Sequence, residues 1–171
     1  MKRFFITVGV VLLCFLMQTT VFQHIALAGM VPNLILIVVV AYGYMRGRLE
    51  GMYVGFASGI LIDLLYSDLI GMNAILYVMI GYVAGVCNEI YYRDEVSVPI
   101  IIIAISDFAF NFGYYVFQFL LRGRLDIFYY IWRTILPEVV YTVLIAVFLY
   151  QLLHAMNFYL EQKEDEDKEG A

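Results

Sequence analysis

Six long apolar segments, separated by short polar stretches, make up most of the chain. They cover residues 4–21, 32–45, 51–65, 72–91, 98–121 and 137–158. A helix needs about 20 apolar residues to cross the hydrocarbon core of a bilayer. We therefore predict an all-α membrane protein with about six transmembrane helices. The second and third segments are short for a span, so these helices either tilt, extend through residues 46–50, or form a shallow hairpin.

Each of the three prolines, Pro32, Pro99 and Pro137, lies at the start of an apolar segment. Proline fits the first turn of a helix, where its missing N–H would have no intrahelical partner. The prolines therefore support these boundaries. Glu138 follows in a first turn, where an acid interacts favourably with the helix dipole. We interpret Glu138 as a helix-start residue near the outer interface; the alternative is a functional acid inside the membrane.

The positions of Lys and Arg predict the orientation of the helices, because cytoplasmic loops carry an excess of both. If the N-terminus is inside, seven of these residues fall in cytoplasmic segments and three fall outside. The inner set is Lys2, Arg3, Arg46, Arg48, Arg93, Lys163 and Lys168, and the outer set is Arg122, Arg124 and Arg133. We therefore predict that both termini lie in the cytoplasm.

The basic start followed by an apolar run is also compatible with a secretory signal peptide. Residues 26–28 have the small-x-small form of a cleavage site, but they lie well beyond the apolar run. We therefore interpret the first segment as a retained helix, with cleavage as the alternative. Cys14 and Cys87 fall inside predicted helices, and we expect them to act as small apolar residues rather than as a disulfide.

Composition agrees with this pattern and locates the charge. Charged residues make up 15% of the chain and hydrophobic residues 64%, whereas a soluble domain has about 25% charged residues. The formal net charge is -5, but residues 161–171 hold six acids and two bases, a net of -4, which leaves -1 for the rest. We therefore predict a transmembrane helical domain over residues 1–160 and an acidic, disordered cytoplasmic tail over residues 161–171.

Glycines recur every four residues in the third and fourth predicted helices. The first series is Gly51, Gly55 and Gly59, with Asp63 at the next place, and the second is Gly81 and Gly85. Such spacing puts small residues on one face and lets the backbones of membrane helices approach closely. The two series predict either internal packing of these helices or a docking face for another membrane protein.

An ionisable residue inside a membrane span is costly and usually faces protein or water. Asp107 lies nearly midway along the fifth predicted helix, and Asn111 lies four residues later on the same face. No Lys or Arg shares the interior of this helix. We expect Asp107 to be protonated, or hydrogen-bonded to Asn111, Ser106, a tyrosine or a partner protein. Its role is either structural or a functional contact.

Two further acids lie near helix ends. Asp63 is near the outer end of the third helix, where it either reaches the interface or caps the turn formed by residues 66–68. Glu89 is near the inner end of the fourth helix, where Arg46 or Arg48 is placed to meet it. The pairing of Glu89 with one of these arginines is a hypothesis that a charge swap can test.

The sequence lacks the motifs of common active sites: it has no Walker A loop, no paired metal-ligand motif, no nucleophile elbow and no CxxC. His24 and His154 are isolated and fall at opposite faces of the membrane in this topology. No basic, aromatic surface for nucleic acid is present. We therefore expect no enzyme activity, no catalytic residue, no metal site, no cofactor and no nucleic-acid partner.

Several motifs between residues 32 and 85 resemble those of one known family. They are Pro32-Asn33, residues 46–51 (RGRLEG), Gly55-Phe56, residues 59–63 (GILID), residues 71–74 (GMNA), Gly81-Tyr82 and Gly85. Together with the length, the basic start and the number of spans, they are similar to the rod shape-determining protein MreD family. Beyond Gly85 the resemblance is one of hydropathy and length.

The resemblance implies a bacterial plasma-membrane protein of the cell-elongation machinery. Proteins of this family work with MreC, whose large domain is outside, with the actin-like MreB inside, and with the RodA glycosyltransferase and its partner transpeptidase. The implied function is a non-catalytic scaffold that holds MreC in the lipid bilayer and links peptidoglycan synthesis to the MreB filament. The candidate contact surfaces are the series from Gly51 to Gly59 with Asp63, and Asp107 with Asn111.

The resemblance also implies a fold similar to the substrate-binding S components of energy-coupling-factor vitamin transporters. The alternative function is therefore a small-molecule-binding subunit of such a transporter, which needs a polar cavity open to the outside. The predicted core has few polar groups beyond Asp107, Asn111 and nearby aromatics, which favours the scaffold. A proton-coupled carrier that uses Asp107 is a third alternative.

Overall fold

The computed structural model describes residues 2–26, 29–67, 70–90, 97–117 and 127–169. Within these ranges the chain is built from helices. They are α1 (Lys2–Thr19), α2 (Val21–His24), α3 (Leu34–Arg46), α4 (Arg48–Tyr66), α5 (Met72–Ile90), α6 (Ser97–Tyr115), α7 (Ile127–Tyr130), a π-helical turn (Ile131–Ile135) and α8 (Leu136–Glu169). The all-α fold predicted from the apolar segments is confirmed.

Five helical stretches are long and apolar enough to cross a membrane by length and composition. They are Phe4–His24, Arg48–Tyr66, Met72–Ile90, Ser97–Tyr115 and Phe128–Leu160, and the shorter apolar helix Leu34–Arg46 is the sixth. Large apolar side chains such as Phe56, Ile105 and Phe148 are exposed on the outside of the bundle. A bilayer can cover these side chains, so the chain is a multi-pass membrane protein.

The helix α3 lies at the centre of the bundle. It contacts α1, α4, α5, α6 and α8, and every residue from Leu34 to Tyr44 is buried. A helix that is apolar on all sides is expected to be buried on all sides, and this segment is almost entirely apolar. Its 13 residues span only about 20 Å, which is less than the thickness of the hydrocarbon core.

The loop predicted at residues 46–50 is reduced to one residue. The helix α3 ends at Arg46 and α4 begins at Arg48, so Gly47 alone forms the corner. Its φ angle is 94°, a region in which glycine has no steric penalty. The third predicted segment therefore extends through the loop and becomes a 19-residue helix, one of the alternatives left open by the sequence.

The last helix continues past the boundary predicted at residue 160 and ends at Glu169. Glu, Gln and Lys dominate this stretch, and all three are good helix formers. The disorder predicted for residues 161–171 stays a prediction. At the other end of the chain, α1 contacts α3, and the alternative cleavage site at residues 26–28 falls partly outside the described residues. Both cysteines are free, as predicted.

Candidate functional site

The glycine series bring α4 and α5 into backbone contact. A Cβ atom added to Gly51 would lie 2.5 Å from the carbonyl oxygen of Gly81. A Cβ atom added to Gly55 would meet the carbonyl oxygen of Tyr77 in the same way. These obstacles are backbone atoms, which cannot rotate aside as a side chain can. The predicted spacing therefore serves close approach of two helices of this chain.

Both ends of the contact between α4 and α5 have the same character. A Cβ atom at Gly59 would meet the backbone of Ala74, and one at Gly85 would meet the backbone of Arg48. All five glycines of the two series are buried. A partner protein cannot reach these positions while α4 and α5 are packed, so the stripe does not form an open docking face.

The central helix joins the same contact through Gly43. A Cβ atom at Gly43 would lie 2.7 Å from the carbonyl oxygen of Gly81, and the Gly51 Cβ position lies 2.7 Å from the Gly43 Cα. Three helices therefore meet at three glycines. The sequence signal for this meeting was the same four-residue spacing, which runs from Gly43 through the corner at Gly47 to Gly51.

Asp63 binds the start of the next helix rather than the interface or the turn at residues 66–68. Only 1% of its surface is exposed. One carboxylate oxygen accepts hydrogen bonds from the backbone N–H of Gly71 at 2.9 Å and of Ala74 at 3.0 Å. The other accepts from the backbone N–H of Asn73 at 3.2 Å and from its side-chain amide at 2.9 Å. An acid placed in this way satisfies the free N–H groups at the start of α5 and interacts favourably with its dipole.

The charged groups at the opposite end of α4 and α5 form a hydrogen-bonded set. Arg48 donates to Glu89 at 2.8 Å, and both side chains are about half exposed. Arg46 instead donates to the side chains of Asn157 at 2.7 Å and Glu50 at 3.3 Å. Of the two arginines that the sequence offered to Glu89, the structure therefore selects Arg48.

Asp107 is completely buried. The amide of Asn111 donates to the backbone carbonyl of Asp107 at 3.1 Å, not to its carboxylate as the sequence suggested. Within the described residues, neither carboxylate oxygen has a hydrogen-bond partner. The four-residue spacing placed both residues on one face, but it also put the Asn111 amide within reach of the backbone oxygen one turn earlier.

A set of buried polar groups that the sequence did not connect surrounds Asp107. The backbone N–H of Asn33 donates to the Thr142 hydroxyl at 3.1 Å, and the Tyr77 hydroxyl donates to the Asn33 side chain at 3.0 Å. Asn33 and Thr142 also lie beside the Asp107 carboxylate. The buried polar cluster, consisting of Asn33, Tyr77, Asp107, Asn111, Glu138 and Thr142, thus joins α3, α5, α6 and α8.

Glu138 belongs to this cluster. Its carboxylate lies beside the Asn111 side chain and within electrostatic range of Asp107. The residue is partly buried, so it is not only a helix-start residue at the interface. A signal was present in the sequence, because Thr142 follows Glu138 by four residues and shares its helix face.

A groove of about 990 Å³ lies between α1 and α4. Its walls are mainly apolar and include Val8, Leu12, Phe56 and Ala57, and the pair Arg46 and Glu50 also lines it. Phe56 and Leu12 are exposed. Unlike the glycine series, this surface is therefore open to a neighbour in the membrane.

No three His, Cys, Asp or Glu side chains come together as a metal site within the described ranges. His24 and His154 are both exposed. The ring of His154 lies 6.1 Å from that of Tyr150, measured between centroids. Neither histidine takes part in the buried polar cluster.

The family model for the rod shape-determining protein MreD matches residues 1–159. The chain belongs to the MreD family. MreD is a structural, shape-determining family and not a known enzyme family. The match extends well beyond Gly85, where the recognisable motifs end. Membership places the chain among multi-pass membrane proteins with a role in rod-shape determination.

No curated protein and no solved structure matches the chain. The similarity of this MreD family member to S components of vitamin transporters therefore stays a prediction.

Proposed function

We propose that this chain is a non-catalytic scaffold of the bacterial cell-elongation complex, which binds MreC directly and links peptidoglycan synthesis to the MreB filament. The observation that carries the proposal is the MreD family match over residues 1–159. RodA and its partner transpeptidase belong to the same proposed complex. The site of action is the bacterial plasma membrane.

The groove between α1 and α4 is the proposed surface for MreC. The glycine series is already occupied by packing within this chain, so it offers no room for a second protein. The groove has mainly apolar walls and an ion pair, Arg46 with Glu50, along its lining. A membrane-spanning segment of MreC would find lipid-like packing along the walls and polar partners beside the ion pair.

Ala57→Phe tests this surface. Ala57 lines the groove and is exposed, so a phenylalanine there fills the space without disturbing the core. We expect the variant to reach the membrane at the normal level, to lose most co-purification with MreC, and to fail to restore rod shape in cells depleted of the native protein. Val83→Phe is the matched control, because Val83 is exposed on α5 and does not line the groove.

Undiminished capture of MreC by Ala57→Phe would show that MreC binds elsewhere. The depletion itself tests the wider proposal: rounded cells with mislocalised MreC support the scaffold. Cells of normal shape that lose uptake of a vitamin would instead identify the alternative, a substrate-binding transporter subunit.

A further inference from the structure

The buried polar cluster contains a carboxylate that nothing in the described structure neutralises. Asp107 is fully buried, and both of its oxygens lack a hydrogen-bond partner among the described residues. An ionised carboxylate without a partner is very unfavourable in a low-dielectric interior. Either a proton or another cation must therefore accompany Asp107 in the folded protein.

The groups nearest to Asp107 are oxygen donors rather than cations. The Thr142 hydroxyl and the Asn33 side chain lie beside its carboxylate, and the carboxylate of Glu138 is within electrostatic range. Over the described ranges, the salt bridges of the arginines involve Glu50 and Glu89 and do not reach Asp107 or Glu138. The cluster thus combines two acids with neutral oxygens and adds no positive charge from these arginines.

We propose that Asp107, Glu138, Thr142 and Asn33 form a binding site for one small monovalent cation, Na⁺. Carboxylate, hydroxyl and amide oxygens are the ligands that hard cations prefer. A divalent ion fits less well, because Ca²⁺ takes six to eight oxygens and Mg²⁺ keeps several water molecules. The complete burial of Asp107 leaves no room for such a shell of water.

A cation at this position would connect three helices. Asp107 belongs to α6, Thr142 and Glu138 belong to α8, and Asn33 caps α3 by accepting a hydrogen bond from the backbone N–H of Leu36 at 3.1 Å. Binding would therefore stabilise the folded bundle, because the ion binds only when the three helices are together. This inference is independent of the proposed scaffold function, since it concerns only the stability of the chain.

Thermal unfolding of the purified full-length chain in detergent tests the proposal. The probe is NaCl, compared with choline chloride at equal ionic strength. We expect Tm to rise by about 3 °C or more when Na⁺ replaces choline. Asp107→Asn should fold and lose this shift, because the amide keeps the shape of the side chain but removes its charge. Thr142→Ser, which retains the hydroxyl, should keep most of the shift, and Thr142→Val should lose it.

Glu89→Gln is the matched control for the loss of an acid, because Glu89 lies outside the cluster, paired with Arg48. This variant should respond to Na⁺ as the unmodified chain does. Equal Tm values for the unmodified chain in the two salts would overturn the proposal and leave a proton as the partner of Asp107. A full Na⁺ shift in Asp107→Asn would overturn it as well, because the ion would then act elsewhere.

Discussion

Asp63 and Asp107 are both buried carboxylates, but their surroundings are opposite. Asp63 accepts four hydrogen bonds, three of them from backbone N–H groups at the start of α5. Asp107 accepts none in the described structure. A carboxylate with four donors is stabilised in its charged form, since each donor replaces a lost water contact. Asp63 is therefore a structural residue, whereas Asp107 needs a further partner.

Gly55→Ala should destabilise the protein by about 1–3 kcal/mol, because the added methyl group would overpack a rigid backbone contact with Tyr77. Thermal unfolding in detergent measures this change. Gly9→Ala in α1 is the matched control: its Cβ would have no atom within 4 Å, so the usual helix preference for alanine should leave stability unchanged or slightly higher. Equal stability of the two variants would contradict the close packing of α4 on α5.

At this scale the sequence revealed which residues matter but not what they contact. The acids at positions 63 and 107 and the glycines could be found because each interrupts or spaces an apolar run. The partners could not, because they lie on other helices: Asp63 binds Asn73, ten residues away, and Asn33 binds Thr142, 109 residues away. No local pattern encodes such distances.

The helices themselves were largely predictable, because each consists of an apolar run bounded by polar residues, glycine or proline. The segments predicted at 72–91 and 98–121 correspond to α5 (Met72–Ile90) and α6 (Ser97–Tyr115), as far as α6 is described. The corner at Gly47 was missed, since two arginines and a glutamate nearby suggested a longer polar loop. Those side chains instead pair with groups on neighbouring helices or turns.

The pairing of α4 with α5 through Arg48 and Glu89 can be tested by a charge swap. Either single change, Arg48→Glu or Glu89→Arg, should lower stability by about 0.2–1 kcal/mol, a small effect because both side chains are about half exposed. The double variant should recover most of that loss in a thermal double-mutant cycle. Additive losses in the double variant would mean that the two side chains do not interact energetically.

At the scale of the whole molecule, the two ends of the bundle differ in charge. Arg46, Arg48 and Glu89 lie at one end, and Asp63 and Glu138 lie towards the other, where α5 and α8 begin. The excess of Lys and Arg predicts that the first end faces the cytoplasm. The same orientation places both termini in the cytoplasm.

Cysteine labelling in intact cells checks this orientation. With Cys14 and Cys87 replaced by alanine, a single cysteine is introduced at Ile70 or at Gln162, both of which are exposed. We expect a membrane-impermeant thiol reagent to label Ile70→Cys in intact cells and Gln162→Cys only after permeabilisation. The reverse pattern would invert the proposed topology, and labelling of both in intact cells would contradict an odd number of spans between them.

The central position of α3 has a consequence for how the protein is made. Membrane helices can insert separately and associate afterwards, and α3 leaves the ribosome long before α8, which forms part of its surroundings. Until that last helix has been synthesised, one side of α3 must face lipid or the insertion machinery. The middle of the molecule is thus completed last, and a nascent chain that stops before Leu136 contains its central helix without the wall that encloses it.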